Sequence, residues 1–342
     1  MPQEIAYLVD HDPAPGTLID IAPGVRWLRM PLPFRLDHIN LWLLADGDGW
    51  TIVDSGLGTD DCRAIWERVF ATELGGKPIH RIILTHFHSD HTGLAGWIAD
   101  RFGAELWMTD EEWRRTQIFH NARTSDWMDV IGRFFTISGC PDEVVAATRQ
   151  RWSSIGDRVT PLAARAQRIG EGDTIRIGDF DWRVLIGRGH APEHASLYCA
   201  ATDTLIAGDQ VLPKISPNVS VYPGNPEENP LADFLDTIDR FRIALPDTAT
   251  VLPSHKLPFT GLHRRLDELS HHHDDRLSEA WDCCSEPRTV MDVTRALFRP
   301  DLDSLQTSLA VSESLAHLNL LVSRGELARD ARNNGVLEFE RR

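Results

Sequence analysis

The sequence contains very little lysine, and its formal net charge is −16. Lysine occurs only at Lys77, Lys214 and Lys256, so arginine carries nearly all of the positive charge. An acidic chain can bind a polyanion only through a locally basic surface, because counterion release requires cations directed at phosphates. No run of basic residues stands out in the sequence. We therefore expect no nucleic-acid partner.

Cysteines are few, and long apolar runs are absent. The five cysteines are scattered, and the adjacent pair at 283 and 284 does not have the spacing of a zinc knuckle. This pattern favours reduced thiols over a disulfide framework. No apolar run approaches the ~18 residues that span a bilayer, and the first residues lack the basic and apolar regions of a signal peptide. We expect a cytoplasmic protein with no membrane association.

The pattern of apolar residues predicts one large domain followed by a smaller one. With 342 residues, the chain is longer than a single compact core usually needs. Strand patterns alternate with helical ones up to about residue 260, except between about residues 111 and 170, where strand signals vanish and a helical insertion is predicted. The predicted strands lie within 17–54, at 82–84, within 174–207 and at 250–252, and the predicted helices lie at 60–74, 92–102 and 231–242.

From residue 262 the helical pattern dominates. Three helices are predicted, and a short strand at 335–339 closes the chain. Three helices followed by a small hairpin are the outline of a winged-helix module. We therefore predict domains at 1–261 and 262–342. The predicted helices of the second domain lie at 262–284, 290–297 and 311–323.

The densest chemical signal lies in residues 85–91, directly after the buried strand predicted at 82–84. His86, His88, Asp90 and His91 place three imidazoles and a carboxylate within six residues. Neutral imidazole combined with carboxylate suits zinc or a similar ion, and four ligands on one turn imply more than one ion. A merely solvated polar turn would rarely be so tightly spaced behind a buried strand. The segment predicts a metal site.

This segment resembles the HxHxDH signature of the metallo-β-lactamase superfamily, and other segments resemble the remaining motifs of that family in order. Asp54 is similar to the first aspartate, which supports the metal loop. Residues 189–194 resemble the third motif, 207–209 the fourth and 254–255 the last. The resemblance covers about residues 17–260. The chain departs from the usual pattern at Glu193, Ser254 and Lys256, where glycine is common.

The resemblance implies an α/β fold, namely an αββα sandwich of the metallo-β-lactamase type with a helical insertion and a small C-terminal winged-helix-like domain. It also implies two divalent metal ions as cofactors, with zinc expected and iron or manganese left open. The implied ligands are His86, His88 and His190 for the first ion, Asp90, His91 and His255 for the second, and Asp209 between them. His194 more often supports such a site from behind the ligands.

The implied mechanism uses a water that bridges the two ions, loses a proton near neutral pH and acts as the nucleophile. The ions also stabilise the oxyanion that forms. Asp90 is expected to have a catalytic role as well, either orienting this water or receiving its proton. Asp209 stands where true class B β-lactamases commonly have cysteine, so β-lactams are not the expected substrates. Retention of Asp90 and His255 favours a two-metal hydrolase over the single-iron dioxygenases of this fold.

The C-terminal region leaves two functions open. It resembles a winged-helix domain found in bacterial hydrolases of unassigned substrate and in an animal mitochondrial endoribonuclease. The enzyme either hydrolyses a small thioester, ester or lactone, or acts as an endoribonuclease or phosphodiesterase on single-stranded RNA. Residues 262–342 contain eleven arginines, no lysine and fifteen acidic residues, whereas a nucleic-acid-binding winged helix should have a basic face. We favour the small-molecule substrate, with the C-terminal domain serving packing or formation of a homodimer.

Two segments are predicted to border the substrate. An insertion between the second and third metal motifs commonly forms a lid in this fold, and the segment after Asp209 should also lie at the site. An aromatic side chain there would line an apolar substrate channel, and a cationic or amide side chain would contact a polar or anionic group of the substrate. The candidate pocket residues are Trp113, Phe119, His120, Trp127, Lys214 and Asn218.

Overall fold

The structure, a computed structural model, describes residues 2–120, 125–162 and 165–342, and describes only the backbone of residues 119, 120, 125 and 155. The chain forms two compact units, each assembled from three segments. The sheet unit comprises Met1–His120, Asp157–Pro217 and Phe241–Leu266. The helical unit comprises Asn121–Gly156, Asn218–Arg240 and Asp267–Arg342. The division at residues 261 and 262 stays a prediction.

Two seven-stranded sheets form the sheet unit. The strands are β1 (Ala6–Tyr7), β2 (Leu18–Ala22), β3 (Val25–Pro31), β4 (His38–Asp46), β5 (Gly49–Val53), β6 (Ile79–Ile83), β7 (Glu105–Met108), β8 (Gln167–Arg168), β9 (Thr174–Ile177), β10 (Phe180–Gly187), β11 (His194–Cys199), β12 (Thr204–Gly208), β13 (Thr250–Pro253) and β14 (Phe259–Thr260). The first sheet runs from β2 to β8 in chain order, antiparallel up to β5 and parallel from β5 onward. The second has the order β1-β14-β13-β12-β11-β10-β9, and only β12 and β13 pair in parallel.

Apolar side chains from both sheets meet in one core. Trp27 and Trp42 from the first sheet pack with Trp182 and Val184 from the second, and all four side chains are almost fully buried. The Trp27 indole N–H donates to Oδ1 of Asn40 at 2.9 Å, so the burial of Trp27 leaves its own donor paired. Burying one large side chain contributes about 1.5–3 kcal/mol. The predicted α/β class with two packed sheets is confirmed.

Ten helices lie in the described part of the chain: α1 (Asp60–Thr72), α2 (Ser89–Thr92), α3 (Ala95–Phe102), α4 (Asp110–His120), α5 (Ser125–Ile137), α6 (Asp142–Ser153), α7 (Pro230–Ala244), α8 (Leu262–Cys283), α9 (Val290–Leu297) and α10 (Ser304–Ser323). Helix α1 begins where the Thr59 side chain accepts from the N–H of Cys62, which satisfies one free donor of the first turn. Helices α4 to α6 confirm the predicted helical insertion. None of these helices has the length and apolarity needed to cross a bilayer.

The C-terminal segment contains α9, α10 and a small antiparallel sheet. Its strands are β15 (Arg288–Thr289), β16 (Leu327–Ala331) and β17 (Leu337–Arg341), in the order β15-β17-β16. The predicted start of the last helix at residue 311 was wrong, because α10 begins at Ser304. Asp303 and Gln306 form a capping box there, which starts a helix in a stretch with little apolar periodicity. The winged-helix description stays a prediction.

Candidate metal centre

Residues with metal-ligand side chains follow the carboxyl ends of strands in both sheets. Asp54 comes directly after β5, and the histidine segment follows β6. In the second sheet, His190 follows β10, Asp209 follows β12 and His255 follows β13. The structure brings the seven predicted ligands into two groups, and within each group the candidate ligand atoms lie within 4.8 Å of one another. The groups are His86, His88, His190 and Asp209, and Asp90, His91 and His255.

The first group has the spacing of a four-coordinate site. Nε2 of His86 lies 2.8 Å from Nδ1 of His88 and 3.2 Å from Nε2 of His190. Oδ2 of Asp209 lies 3.4 Å from Nε2 of His190 and 3.9 Å from Nε2 of His86. Ligand atoms at about 2.0–2.2 Å from a tetrahedral zinc ion are about 3.3–3.6 Å apart. The distances in this group spread around that range, from 2.8 to 3.9 Å, so the four side chains converge closely enough to surround one such ion.

Asp209 also contacts the second group. Its Oδ1 lies 3.4 Å from Nε2 of His255, and its Oδ2 lies 3.6 Å from Nε2 of His91. Oδ2 of Asp90 lies 3.7 Å from Nε2 of His255 and 3.8 Å from Nε2 of His91. Nε2 of His91 and Oδ1 of Asp209 are buried and have no hydrogen-bond partner among the described residues. A buried polar atom without a partner is costly, and a cation satisfies both atoms.

The charges of the first group also suit a cation. Burial, reinforced by the neighbouring imidazoles, lowers the pKa values of His86 and His88 well below the usual histidine value. Burial would raise the pKa of Asp209, but His255 and His91 outweigh it and hold that pKa well below its usual value. Two neutral imidazoles and an ionised carboxylate are the forms that bind a metal ion.

His91 is held in place by Asp54. Nδ1 of His91 donates to Oδ2 of Asp54 at 2.7 Å, and the backbone N–H of Thr85 donates to Oδ1 of the same carboxylate at 2.9 Å. Burial alone would lower the pKa of His91, but Asp54, Asp209 and Asp90 together raise it well above the usual value. A carboxylate on one ring nitrogen fixes the tautomer and turns the other nitrogen toward the metal. This contact agrees with the supporting role predicted for Asp54.

His255 is oriented by the backbone. Its Nδ1 donates to the carbonyl oxygen of His38 at 2.8 Å, which leaves Nε2 facing Asp90 and Asp209. The His38 ring is itself fixed, because its Nδ1 donates to Asp37 at 2.6 Å and its Nε2 accepts from the N–H of Lys256 at 2.9 Å. The first residue of β4 thus holds the last histidine of the site.

His194 contacts the backbone beside Asp209. The N–H of Asp209 donates to Nε2 of His194 at 3.0 Å, and the ring is fully buried. Gly208 makes this contact possible, because a Cβ at that position would lie 2.3 Å from the same nitrogen. Its φ of +55° also favours glycine. His194 therefore fixes the loop that carries Asp209, as expected for a residue behind the ligands.

Glu112, on α4, is a supporting residue that the sequence analysis missed. Its buried carboxylate accepts from the N–H of Phe87 at 3.0 Å through Oε2, and from the N–H of Glu193 at 2.7 Å through Oε1. Phe87 lies between His86 and His88, and Glu193 precedes His194. One carboxylate thus joins two segments that carry site residues. Burial raises the pKa of Glu112 to about 7.

Replacing Glu112 with alanine is expected to weaken metal binding by about 10–100-fold, because two buried N–H groups lose their acceptor and the ligand segments lose their link. Glu112→Gln keeps one carbonyl acceptor and should fall between alanine and wild type. Metal affinity is measured by competition with a chromogenic chelator. Glu111→Ala is the matched control, because Glu111 forms only ion pairs with Arg114 and Arg115 through its side chain. Equal affinities of the Glu111 and Glu112 alanine variants would contradict this role.

The predicted pocket residues lie in different surroundings. Trp113 is buried on α4, with the Arg168 guanidinium 5.2 Å from its ring centre. In the helical unit, the Trp127 ring lies 6.5 Å from that of Trp152, and Asn218 donates to Glu313 at 2.7 Å. Lys214 is exposed in the sheet unit. The side chains of Phe119 and His120 lie outside the described residues. Substrate contact by any of the six stays a prediction.

Comparisons with known proteins agree with this geometry. The model of the metallo-beta-lactamase superfamily matches residues 35–255. A second model, described as the metallo-beta-lactamase-like C-terminal domain, matches residues 277–342. The two matches together include every residue of both groups and most of the C-terminal segment.

Three relatives show how far the similarity extends. A beta-lactamase domain protein from Burkholderia ambifaria is 40% identical, with a TM-score of 0.91 over 99% of this chain and 98% of that one. A metallo-beta-lactamase family protein from Thermus thermophilus is 30% identical, with a TM-score of 0.80 over 94% and 99%. The probable metallo-hydrolase YqjP of Bacillus subtilis is 27% identical over 86% of this chain and 91% of its own length.

Proposed function

The chain belongs to the metallo-β-lactamase superfamily and is a metallo-hydrolase, and we propose that it cleaves a small thioester, ester or lactone at a centre of two divalent metal ions. The observation that carries this proposal is the position of Asp209. One of its oxygens faces His190 and His91, and the other faces His255. A carboxylate with contacts to both groups is suited to hold two ions side by side. Zinc is the expected metal, since imidazole and carboxylate ligands suit it.

Each residue of the centre has a distinct task in this proposal. His86, His88 and His190 would hold one ion, Asp90, His91 and His255 would hold the other, and Asp209 would contact both. Bound divalent ions supply Lewis acidity and lower the pKa of a water molecule at the site. The Asp90 side chain is 20% exposed, compared with 8% for Asp209. We assign Asp90 the additional task of accepting the proton that the attacking water releases, because solvent can remove it from there.

The charge of the chain supports a small substrate over RNA. Residues 262–342 contain fifteen acidic residues and eleven arginines, with no lysine. A domain that holds a nucleic-acid strand needs cations aimed at the phosphates. A net negative segment repels such a strand, so endoribonuclease activity is the less favoured alternative. The C-terminal domain is then free to serve packing or dimer formation.

A substrate panel tests this proposal most directly. Purified protein is assayed with thioesters, esters, lactones, a phosphodiester and a short single-stranded RNA, and its metal content is measured by plasma mass spectrometry. We expect turnover of at least one of the first three classes and about two ions per chain. Turnover of RNA alone would overturn the substrate assignment. One ion per chain in fully active protein would overturn the two-metal centre.

A further inference from the structure

Two of the three lysines in the chain line the same pocket in the sheet unit. The pocket has a volume of about 310 Å³. The third lysine, Lys77, is exposed elsewhere. In a chain whose positive charge is almost entirely arginine, this pocket is distinguished by two lysines in one lining. Its lining residues are Tyr7, Asp10, His11, Asp12, Lys214, Lys256 and Leu257.

Both lysines occupy backbone conformations that favour glycine. The φ of Lys214 is +64° and that of Lys256 is +69°. Side chains with a Cβ are strained in this left-handed region, and such strain persists where the surroundings impose it, often at functional sites. The two lysines make up half of the positive-φ residues other than glycine in the described chain; the others are Asp54 and Asp203. A lysine side chain is thus present where glycine would fit the backbone better.

The two lysines of the pocket lie close along the chain to residues of the metal centre. Lys256 directly follows His255, and its backbone N–H donates to Nε2 of His38. The backbone carbonyl of His38 in turn accepts from Nδ1 of His255 and orients that ring. Lys214 lies in the segment that follows Asp209. Both lysines are therefore carried by loops that also carry residues of the metal centre, His255 and Asp209. A substrate with its scissile bond at the centre could extend a charged group into this pocket.

The lysine charges are available to a ligand. Nζ of Lys214 lies 4.8 Å from the centre of the Tyr7 ring, and neither lysine forms an ion pair within the described part of the chain. Of the acidic lining residues, Asp12 is paired with Arg29 at 3.6 Å. Arg29 also pairs with Asp37 at 3.4 Å, so its single charge is shared between two carboxylates. The lining therefore presents two ammonium groups without an ion pair and two carboxylates, of which Asp10 has no cationic partner among the described residues.

Outside the lining, Asp37 is a further acid that interacts with Lys256. Asp37 pairs with Arg29 at 3.4 Å and accepts from His38. Its hydrogen bond from His38, helped by the charges of Arg29 and Lys256, lowers its pKa below the usual value. Asp37 therefore stays ionised, and its charge offsets part of that of Lys256.

We propose that this pocket binds an anionic group of the substrate, a carboxylate or a phosphate, through Lys214 and Lys256. The inference rests on the proposed function, because it specifies which thioesters, esters or lactones the enzyme prefers: those that carry a negative charge away from the scissile bond. The anion can belong to the acyl part or to the leaving group. Asp10 limits the affinity by repulsion.

Direct binding tests the pocket without requiring turnover. Glutarate and methyl phosphate are titrated by calorimetry into the metal-loaded wild type and into the Lys214→Met and Lys256→Met variants. Methionine has an unbranched side chain of similar length to that of lysine but lacks the charge. We expect each change to weaken binding about tenfold, the loss of one charge-assisted contact. Lys77→Met is the matched control and should bind like wild type, whereas Asp10→Asn should bind more tightly. Equal affinity in all variants, or no binding of either anion by wild type, would overturn the proposal.

Paired thioesters then show which part of the substrate carries the charge. S-propyl thioglutarate is compared with S-propyl thiobutyrate, and S-acetyl 3-mercaptopropanoate with S-acetyl propanethiol, by thiol release. The wild type should prefer the charged member of at least one pair, and Lys214→Met should reduce that preference about tenfold. A preference that survives both lysine changes would contradict the assignment. If no thioester, ester or lactone is cleaved while anion binding still depends on the lysines, the proposed reaction has failed and the pocket assignment stands.

Discussion

Asp209→Ala is expected to lower kcat/KM by at least about 10³-fold, which corresponds to about 4 kcal/mol of transition-state stabilisation. The reason is that this carboxylate faces histidine nitrogens of both ligand groups. Its loss also leaves His91 and His255 without a major source of negative charge. The measurement combines steady-state kinetics on the best substrate of the panel with metal analysis of the same preparation.

Asp209→Asn is the matched variant. It keeps the shape of the side chain and one oxygen, but it removes the negative charge that His255 and His91 stabilise. We expect it to retain the fold, shown by an unchanged circular dichroism spectrum, and to lose most of the activity together with at least one ion. If Asp209→Ala remained active with a single ion per chain, the two-metal mechanism would be wrong.

Gly208→Ala is expected to reduce the free energy of unfolding by about 3–5 kcal/mol and to impair metal loading. A Cβ there would lie 2.3 Å from Nε2 and 2.4 Å from Cε1 of His194, and the φ of +55° disfavours any side chain. His194 cannot move away easily, because it is fully buried. The residue that accepts from the N–H of Asp209 would be displaced. Urea unfolding of the metal-loaded protein measures the loss.

Gly103→Ala separates backbone strain from the clash. Gly103 ends α3 with a φ of +66°, and a Cβ there would meet nothing within 4 Å. Its replacement should therefore cost only about 1 kcal/mol, the strain of a left-handed alanine. An equal loss in the two variants would show that the contact between Gly208 and His194 does not restrain the Asp209 loop.

The sequence sufficed to predict which ligand-type residues meet. His86, His88, Asp90 and His91 are close along the chain, and His190, Asp209 and His255 each follow an apolar strand, so their assembly depends only on strand ends meeting at one edge. The resemblance supplied the pairing of these segments. The side chains that hold the ligands were harder to find, since only Asp54 and His194 belong to a motif.

Glu112 shows why such residues escape sequence analysis. Its partners are backbone N–H groups, 25 and 81 residues away. Any residue type supplies a backbone N–H, so no pattern along the chain marks the contact. Its helix was predicted as part of a lid because neighbouring aromatic residues dominate the segment. Only the folded chain shows that this carboxylate faces the metal loop.

Parts of the fold could likewise not be predicted from the sequence pattern. The helical unit is assembled from three segments that are far apart in sequence, and apolar periodicity within one segment does not say which other segment it packs against. The early start of α10 did have a local signal in the capping box of Asp303 and Gln306. A helix start is set by such polar contacts as well as by apolar spacing.

The two ligand groups contain residues that follow strands of both sheets, so bound ions would affect how firmly the sheets are held together. The histidine segment follows a strand of the first sheet, whereas His190, Asp209 and His255 follow strands of the second. Ions held by both sets would cross-link the sandwich at one edge, closing a loop of 104 residues between His86 and His190. A covalent link over a loop of that size lowers the conformational entropy of the unfolded chain, which increases the free energy of unfolding by about 4–5 kcal/mol. A chelator should therefore weaken the attachment of one sheet to the other, because the ions of the catalytic centre would also stabilise the packing of the two sheets.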